Sequence, residues 1–90
     1  MAKIDWTDNA ITDIANIMNW ISGDSPVAAR RIAERLVEIA GRLDRFPERG
    51  RLISSERREI VVVTPYLVRY RIDGDQVTVL EVRHSARGPG

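Results

Sequence analysis

The sequence contains no cysteine and a single histidine, His84, among its 90 residues. Without cysteine there is no disulfide framework, no thiol nucleophile and no thiolate metal site. One histidine cannot build a histidine-rich zinc centre, and we predict neither a metal site nor a cofactor. A chain of this length is expected to form one domain over residues 1–90, without a large substrate cleft between domains.

Long hydrophobic runs are also lacking. The amino terminus has no apolar core typical of a signal peptide, and no segment is apolar for long enough to span a bilayer. We therefore expect a cytoplasmic protein with no membrane partner. The net charge of +1 argues against a globally electrostatic binder of nucleic acid. Lysine is scarce, since thirteen of the fourteen basic residues are arginine. Either a G+C-rich coding sequence or a need for bidentate contacts to phosphate or carboxylate explains this bias.

The first half of the chain predicts one strand and two helices. Residues 3–6 alternate polar and apolar side chains, as in a short strand. Apolar residues then recur at spacings of three and four over residues 10–21 and again over 29–43, which is the pattern of amphipathic helices. The break at residues 22–24 predicts an antiparallel helical hairpin.

The ends of these helices carry recognisable signals. Thr7 and Ser25 are suited to cap the two helices at their amino termini, and Pro26 fits the first helical position of the second. We expect the second helix to end at Phe46-Pro47, because proline cannot continue a helix.

The second half changes to a period of two. Residues 59–64, 66–73 and 76–84 read as strands, and Asp73-Gly74-Asp75 predicts a hairpin turn between the last two. The predicted order is β-α-α-β-β-β, an α+β fold in which a helical hairpin packs on a small, mainly antiparallel sheet. The other face of that sheet is expected to stay open.

Aromatic residues are few and are assigned mainly to the core. The strand alternation places Tyr66 and Tyr70 on the buried face, and Trp6 and Phe46 are also predicted to be core residues. Trp20 lies off the apolar stripe of the first helix. It is either half-exposed and covered by a partner or a second copy, or it lies at the rim of the core.

Arg69 and Arg71 are predicted on the face opposite the two tyrosines. Two interpretations are open for these arginines. They form a basic patch that contacts a target or partner, or they lie on a solvated strand face with a salt bridge to Glu59 or Glu81 across the sheet.

His84 is the one side chain whose ordinary pKa suits proton transfer near neutral pH. Arg83 and Arg87 flank it in the sequence. The alternative is that His84 caps the last strand and forms a hydrogen bond with neighbouring backbone or with Glu81.

Several segments match a known pattern in order and spacing over nearly the whole chain. They are Trp6 and Ala10, then Ile14, Ile17 and Ile21, Pro26-Val27-Ala28-Ala29, Leu43-Asp44-Arg45-Phe46-Pro47, Gly50-Arg51, Arg58-Glu59-Ile60-Val61-Val62, Tyr66-Leu67-Val68-Arg69-Tyr70-Arg71 and residues 79–87. Together they resemble the RelE/ParE superfamily of type II toxin–antitoxin toxins. The resemblance implies a bacterial growth-arresting toxin, held in a hetero-oligomer by a cognate antitoxin from the same operon.

Two activities divide that superfamily. RelE-like members cleave messenger RNA in the ribosome, whereas ParE-like members poison DNA gyrase and cut nothing themselves. The resemblance implies that the basic residues of RelE-like enzymes would fall at Glu59, Val61, Leu67 and Ser85, where this chain has an acid, two aliphatics and a serine. A second basic position is kept as Arg87, and the terminal tyrosine is absent.

We therefore predict a ParE-like toxin directed at DNA gyrase. The alternative is a ribosome-dependent messenger-RNA endonuclease that uses His84, Arg83 and Arg87. A third possibility is a degenerate member that binds its antitoxin without being toxic.

The antitoxin is expected to lay a helix or an extended segment into the groove between hairpin and sheet, or to add a strand at a sheet edge. An acidic segment would meet Arg57, Arg58, Arg69 and Arg71. Trp20 is a further candidate contact with the antitoxin or the target.

Overall fold

A computed structural model describes residues 3–63 and 65–85. In chain order the elements are β1 (Lys3–Trp6), α1 (Asp8–Ser22), α2 (Pro26–Gly41), β2 (Arg51–Leu52), β3 (Arg57–Val63), β4 (Tyr66–Asp73) and β5 (Gln76–His84). Both helices pack on one face of the sheet, so the predicted α+β class is confirmed. Among the described residues, neither helix has both the length and the apolar character that a bilayer crossing requires.

Both helices begin where the sequence predicts. The Thr7 hydroxyl accepts a hydrogen bond from the Ala10 N–H at 3.1 Å, and the Ser25 hydroxyl accepts one from the Ala28 N–H at 3.1 Å. Thr7 also donates its hydroxyl to the carbonyl of Val79 at 3.0 Å, so the first turn of α1 is attached to β5. Capping thus fixes where α1 starts and where it meets the sheet.

The carboxyl end of α2 differs from the prediction. The helix stops at Gly41, and 3-10 turns over Arg42–Asp44 and Pro47–Arg49 follow it. Phe46 is 59% exposed, so its assignment to the core is wrong. Its position before proline disfavours the helical region, and with φ −128° and ψ 61° its backbone leaves the helical path.

The sheet has five strands in the order β1-β5-β4-β3-β2. β1 is parallel to β5, and the other three pairings are antiparallel, which confirms a mainly antiparallel sheet. The two-residue β2 was not predicted. It is too short to show alternation and exists through its pairing with Arg58 and Glu59.

A bulge interrupts the pairing of β4 with β5. Arg69 lies opposite Glu81, but Tyr70 lies opposite Val79, so Leu80 is an extra residue on β5. The bulge shifts the alternation by one position. As a result the residues of β5 that face the helices are Val77 and Val79 before the bulge, then Val82 and His84 after it.

The core lies between the helices and the sheet. Its fully buried members include small residues on the helices, which allow close approach to the strands, and larger ones on the strands. They are Ala10, Leu36, Ala40, Val68, Tyr70, Val77 and Val79. Tyr66 is also buried, and Trp6 packs against the core from a partly buried position, so the assignments of Tyr66, Tyr70 and Trp6 are confirmed.

Tyr70 fixes the loop that joins α2 to β3. Its hydroxyl donates to the carbonyl of Pro47 and accepts from the N–H of Gly50, both at 2.7 Å. Arg58 holds the same loop by donating to the carbonyls of Gly50 at 2.9 Å and Glu48 at 3.2 Å. Burial raises the pKa of the Tyr70 hydroxyl, against the opposing effects of the Gly50 hydrogen bond and the charge of Arg58.

Gly50 leaves no room for a side chain. A Cβ there would lie 2.5 Å from the Tyr70 hydroxyl oxygen, whereas a Cβ at Gly41 would meet nothing within 4 Å. We expect Gly50→Ala to destabilise the fold by about 2–3 kcal/mol through overpacking and a weakened buried hydrogen bond. In a domain of this size that lowers the melting temperature by about 10 °C or more.

Gly41→Ala is the matched control. It should leave the protein unchanged or stabilise it by up to about 1 kcal/mol, because alanine is the better helix former. Thermal unfolding followed by circular dichroism measures both variants. Equal melting temperatures for the two would contradict the assigned role of the Tyr70 contact.

Candidate functional site

A cleft of about 390 Å³ lies between α1 and the carboxyl end of β5. We call it the α1–β5 cleft. Its lining residues are Asp13, Asn16, Ile17, Trp20, Tyr66, Val82, Arg83 and His84. Three predicted site residues, Trp20, Arg83 and His84, are therefore brought together although more than sixty positions separate the first from the others.

Side chains from both elements hold the walls of this cleft in place. The Asp13 carboxylate accepts hydrogen bonds from the Val82 backbone N–H at 3.0 Å and from the Asn9 amide at 3.3 Å. The rings of Tyr66 and His84 pack edge to face, with centroids 5.3 Å apart at 87°. Trp20 is 70% exposed and therefore does not lie at the rim of the core.

Sequence reasoning missed Asp13 and Asn16. The signal was present in the spacing, because residues 13, 16, 17 and 20 form one face of a helix beside the apolar stripe. Only the packing of α1 on β5 shows that this face lines a cleft.

The open face of the sheet carries a row of alternating charges that we call the charged ladder. Its members, from β2 across to β5, are Arg51, Glu59, Arg69, Glu81 and Arg83. Arg69 donates through Nε to Glu59 at 3.1 Å and through Nη1 to Glu81 at 3.3 Å. Arg83 reaches Glu81 at 3.2 Å, and Arg51 binds the other oxygen of Glu59.

The contacts of the charged ladder distinguish the two interpretations of Arg69. Of the two interpretations, the cross-sheet salt bridge is observed, and it involves both Glu59 and Glu81. Glu59 is the least exposed member, with 11% of its side chain accessible. Hydrogen bonds from Arg51 and then Arg69 lower the pKa of its carboxyl group, although burial opposes that shift.

The four arginines proposed as partner contacts do not share one surface. Arg57, Arg69 and Arg71 lie on the open face, because they occupy alternate positions of paired strands. Arg58 lies on the opposite face and bonds the loop carbonyls beneath the helices. Arg57 and Arg71 stand directly opposite each other.

Three of the four positions at which the resemblance implies basic residues in RelE-like enzymes lie on the open face. Val61 and Leu67 are opposite each other, and Glu59 is two residues from Val61 on the same strand and face. Ser85 follows β5 directly and is exposed. Arg87 lies outside the described residues. Over residues 3–63 and 65–85, no three carboxylate or histidine side chains come together as metal ligands would.

The comparisons with known proteins agree on one family. The model of the ParE toxin of type II toxin–antitoxin systems (parDE) matches residues 4–89. Toxin RelE2 of Caulobacter vibrioides is 44% identical over 97% of this chain and 99% of its own length. The putative toxin Y4kP of Sinorhizobium fredii is 34% identical over 92% and 88% of the two chains.

A solved structure agrees in fold. A chain of the chromosomal ParDE toxin–antitoxin system from P. aeruginosa superimposes with a TM-score of 0.80 over 93% of this chain and 96% of its own, at 19% identity. The family model and the relatives thus define a toxin of the RelE/ParE superfamily, and the solved structure has the same fold. The chain belongs to the ParE toxin family and is the toxin component of a type II toxin–antitoxin system, with a cognate antitoxin as its partner.

The ion pairs of Glu59 in the charged ladder predict how the stability of the protein depends on pH. The pKa of Glu59 in the folded protein lies below its ordinary value of 4.5, so its stabilising contribution is complete above that value. The contribution is lost as the pH falls through the lowered folded pKa. The Glu59→Gln variant should be less stable than the wild type at neutral pH, and the difference should shrink below about pH 4.5.

Denaturant unfolding at a series of pH values measures this difference. Glu34→Gln is the control, because Glu34 is exposed on α2 and forms no ion pair with the described residues. If the difference between Glu59→Gln and the wild type stayed constant through acid pH, the ion pairs of Glu59 would not be its source.

Proposed function

We propose that this toxin arrests growth by binding DNA gyrase and does not cleave RNA itself. One observation carries the proposal. The face of the sheet on which RelE-like enzymes are expected to present basic residues has Glu59, Val61 and Leu67 there instead.

Metal-free RNA cleavage needs a base for the 2′-hydroxyl and cations for the charge that develops on the phosphate. A carboxylate with a lowered pKa repels that charge, and two aliphatic side chains do not stabilise it. The nearest cations on the same face, Arg69 and Arg83, are bonded to Glu59 and Glu81. These contacts favour a surface that works through protein–protein binding.

Expression of the toxin without its antitoxin tests the proposal. We expect growth arrest with gyrase-linked double-strand breaks and intact transcripts, and rescue when the antitoxin is coexpressed. Purified toxin should likewise increase the DNA cleaved by purified gyrase. The His84→Gln variant should keep both effects, because the proposed mechanism needs no proton transfer. Rapid transcript cleavage with undamaged DNA would contradict the proposal, and absence of any growth defect would indicate a degenerate, non-toxic member.

A second candidate function is ribosome-dependent cleavage of messenger RNA. It is favoured by the position of His84 in the wall of the α1–β5 cleft, next in sequence to Arg83, whose side chain bonds Glu81 on the open face. The relative that is 44% identical is named toxin RelE2. For this candidate, His84→Gln should abolish transcript cleavage and toxicity together.

The antitoxin, in our proposal, places an apolar side chain in the α1–β5 cleft. Ile17, Val82 and the Trp20 ring supply apolar wall, and the cleft lies in the groove between hairpin and sheet. Exposed tryptophans with a pocket beside them are common anchors of protein interfaces. An antitoxin segment seated there would also cover His84.

The Trp20→Ala variant tests this placement. Because Trp20 is largely exposed, the variant should fold normally, and its affinity for the antitoxin should fall by about 30-fold. Ile11→Ala is the matched control, since Ile11 is 55% exposed on the same helix but does not line the cleft. Unchanged affinity in isothermal titration calorimetry, or a change only in the self-association of the toxin, would exclude the cleft as the antitoxin anchor.

A further inference from the structure

Arg57 and Arg71 form an unusual pair on the open face. They are directly opposite each other on β3 and β4. At the neighbouring position the Ile72 N–H donates to the Glu56 carbonyl at 3.4 Å, so the ladder hydrogen bond lies between Glu56 and Ile72. That pattern makes Arg57 and Arg71 a non-hydrogen-bonded pair, the kind in which facing side chains come closest in an antiparallel sheet.

The two guanidinium groups have no carboxylate partner within the described part of the chain. The next pair on the same face is Glu59 with Arg69, in which the two charges neutralise each other, whereas the charges of Arg57 and Arg71 have the same sign. Like charges directly opposite each other destabilise a sheet. An anion held between Arg57 and Arg71 would remove that repulsion and gain hydrogen bonds from both.

We propose that Arg57 and Arg71 clamp a carboxylate side chain of the antitoxin. The inference rests on the proposed function only in taking the antitoxin as the partner, and it does not depend on whether the toxin acts on gyrase or on RNA. Arginine suits the role, because its planar fork matches the geometry of a carboxylate.

The surroundings of the clamp favour a single carboxylate over a chain of phosphates. Glu59 and Glu81 lie in the adjacent row of the same face. Asp73 lies two residues beyond Arg71 on β4, and Asp5 lies on the far side of Thr78, which is opposite Arg71. A phosphodiester backbone crossing this face would pass these carboxylates, whereas one acidic side chain would not.

Arg58 and Arg69, the other two arginines proposed as partner contacts, already form hydrogen bonds within the toxin. Arg69 is bonded to two carboxylates of the ladder, and Arg58 to two loop carbonyls. The clamp is therefore confined to Arg57 and Arg71, which allows a selective test.

The test compares Arg57→Gln/Arg71→Gln with Arg30→Gln/Arg31→Gln. The control removes the same charge from two exposed arginines of α2 that form no ion pair with the described residues. The probe is the antitoxin encoded in the same operon, titrated calorimetrically at low and moderate salt. The clamp variant should bind about 30-fold more weakly and with a smaller salt dependence, and the control should bind like the wild type.

A second measurement, the melting temperature, distinguishes a loss of the binding contact from misfolding of the variant. The melting temperature of the isolated clamp variant should equal or exceed that of the wild type, because a repulsion has been removed. Arg57→Glu should raise the melting temperature further by placing a carboxylate opposite Arg71, and it should weaken antitoxin binding most. A melting temperature several degrees lower in these variants would contradict the proposed repulsion.

The outcomes separate this inference from the proposed function. Equal antitoxin affinity for the clamp variant, the control and the wild type overturns the clamp, whatever the toxin acts on. Loss of binding to a short single-stranded RNA with unchanged antitoxin affinity also overturns it, in favour of a phosphate site. Conversely, weakened antitoxin binding supports the clamp even if toxin expressed alone fails to act on gyrase.

Discussion

The extra residue in β5, Leu80, decides which side chains reach each surface of the sheet. Before it, odd-numbered residues of β5 face the helices, and after it even-numbered residues do. Without this shift, Glu81 and Arg83 would point into the apolar core, where a charge is costly to bury. With it, Val82 and His84 complete the helix side. The α1–β5 cleft and the charged ladder, on opposite faces, therefore both depend on a single unpaired position.

The charges on the open face explain why arginine serves better than lysine there. Arg69 uses two different nitrogens to bridge Glu59 on one neighbouring strand and Glu81 on the other. A lysine ammonium has three donors on a single atom and cannot span two strands in this way. Of the two explanations for the scarcity of lysine, the need for bidentate contacts applies at Arg69. It does not account for the exposed arginines of α2, which leaves base composition as the simpler reason for those.

Much of the fold could be predicted from the sequence, because it depends on local signals. The caps at Thr7 and Ser25, the two apolar stripes and the turn at Gly74 each act over a few residues, and all appear in the structure. The features that were missed depend on contacts between distant segments. The bulge at Leu80 can be identified only against β4, and the exposure of Phe46 follows from where the loop after α2 is attached. The same holds for the site. Alternation placed Arg69 on the open face, but its partners required the register of three strands.

The charged ladder also limits where this toxin can attract an anionic partner. Its carboxylates form ion pairs with the neighbouring arginines, so the electrostatic potential of the row is weak although it contains many charges. The strongest unbalanced positive charge on the described part of the open face is therefore at Arg57 and Arg71. Glu59 neutralises the cations on both sides of it, because it bonds to Arg51 and Arg69 together. A single carboxylate thus neutralises the cations of two neighbouring strands.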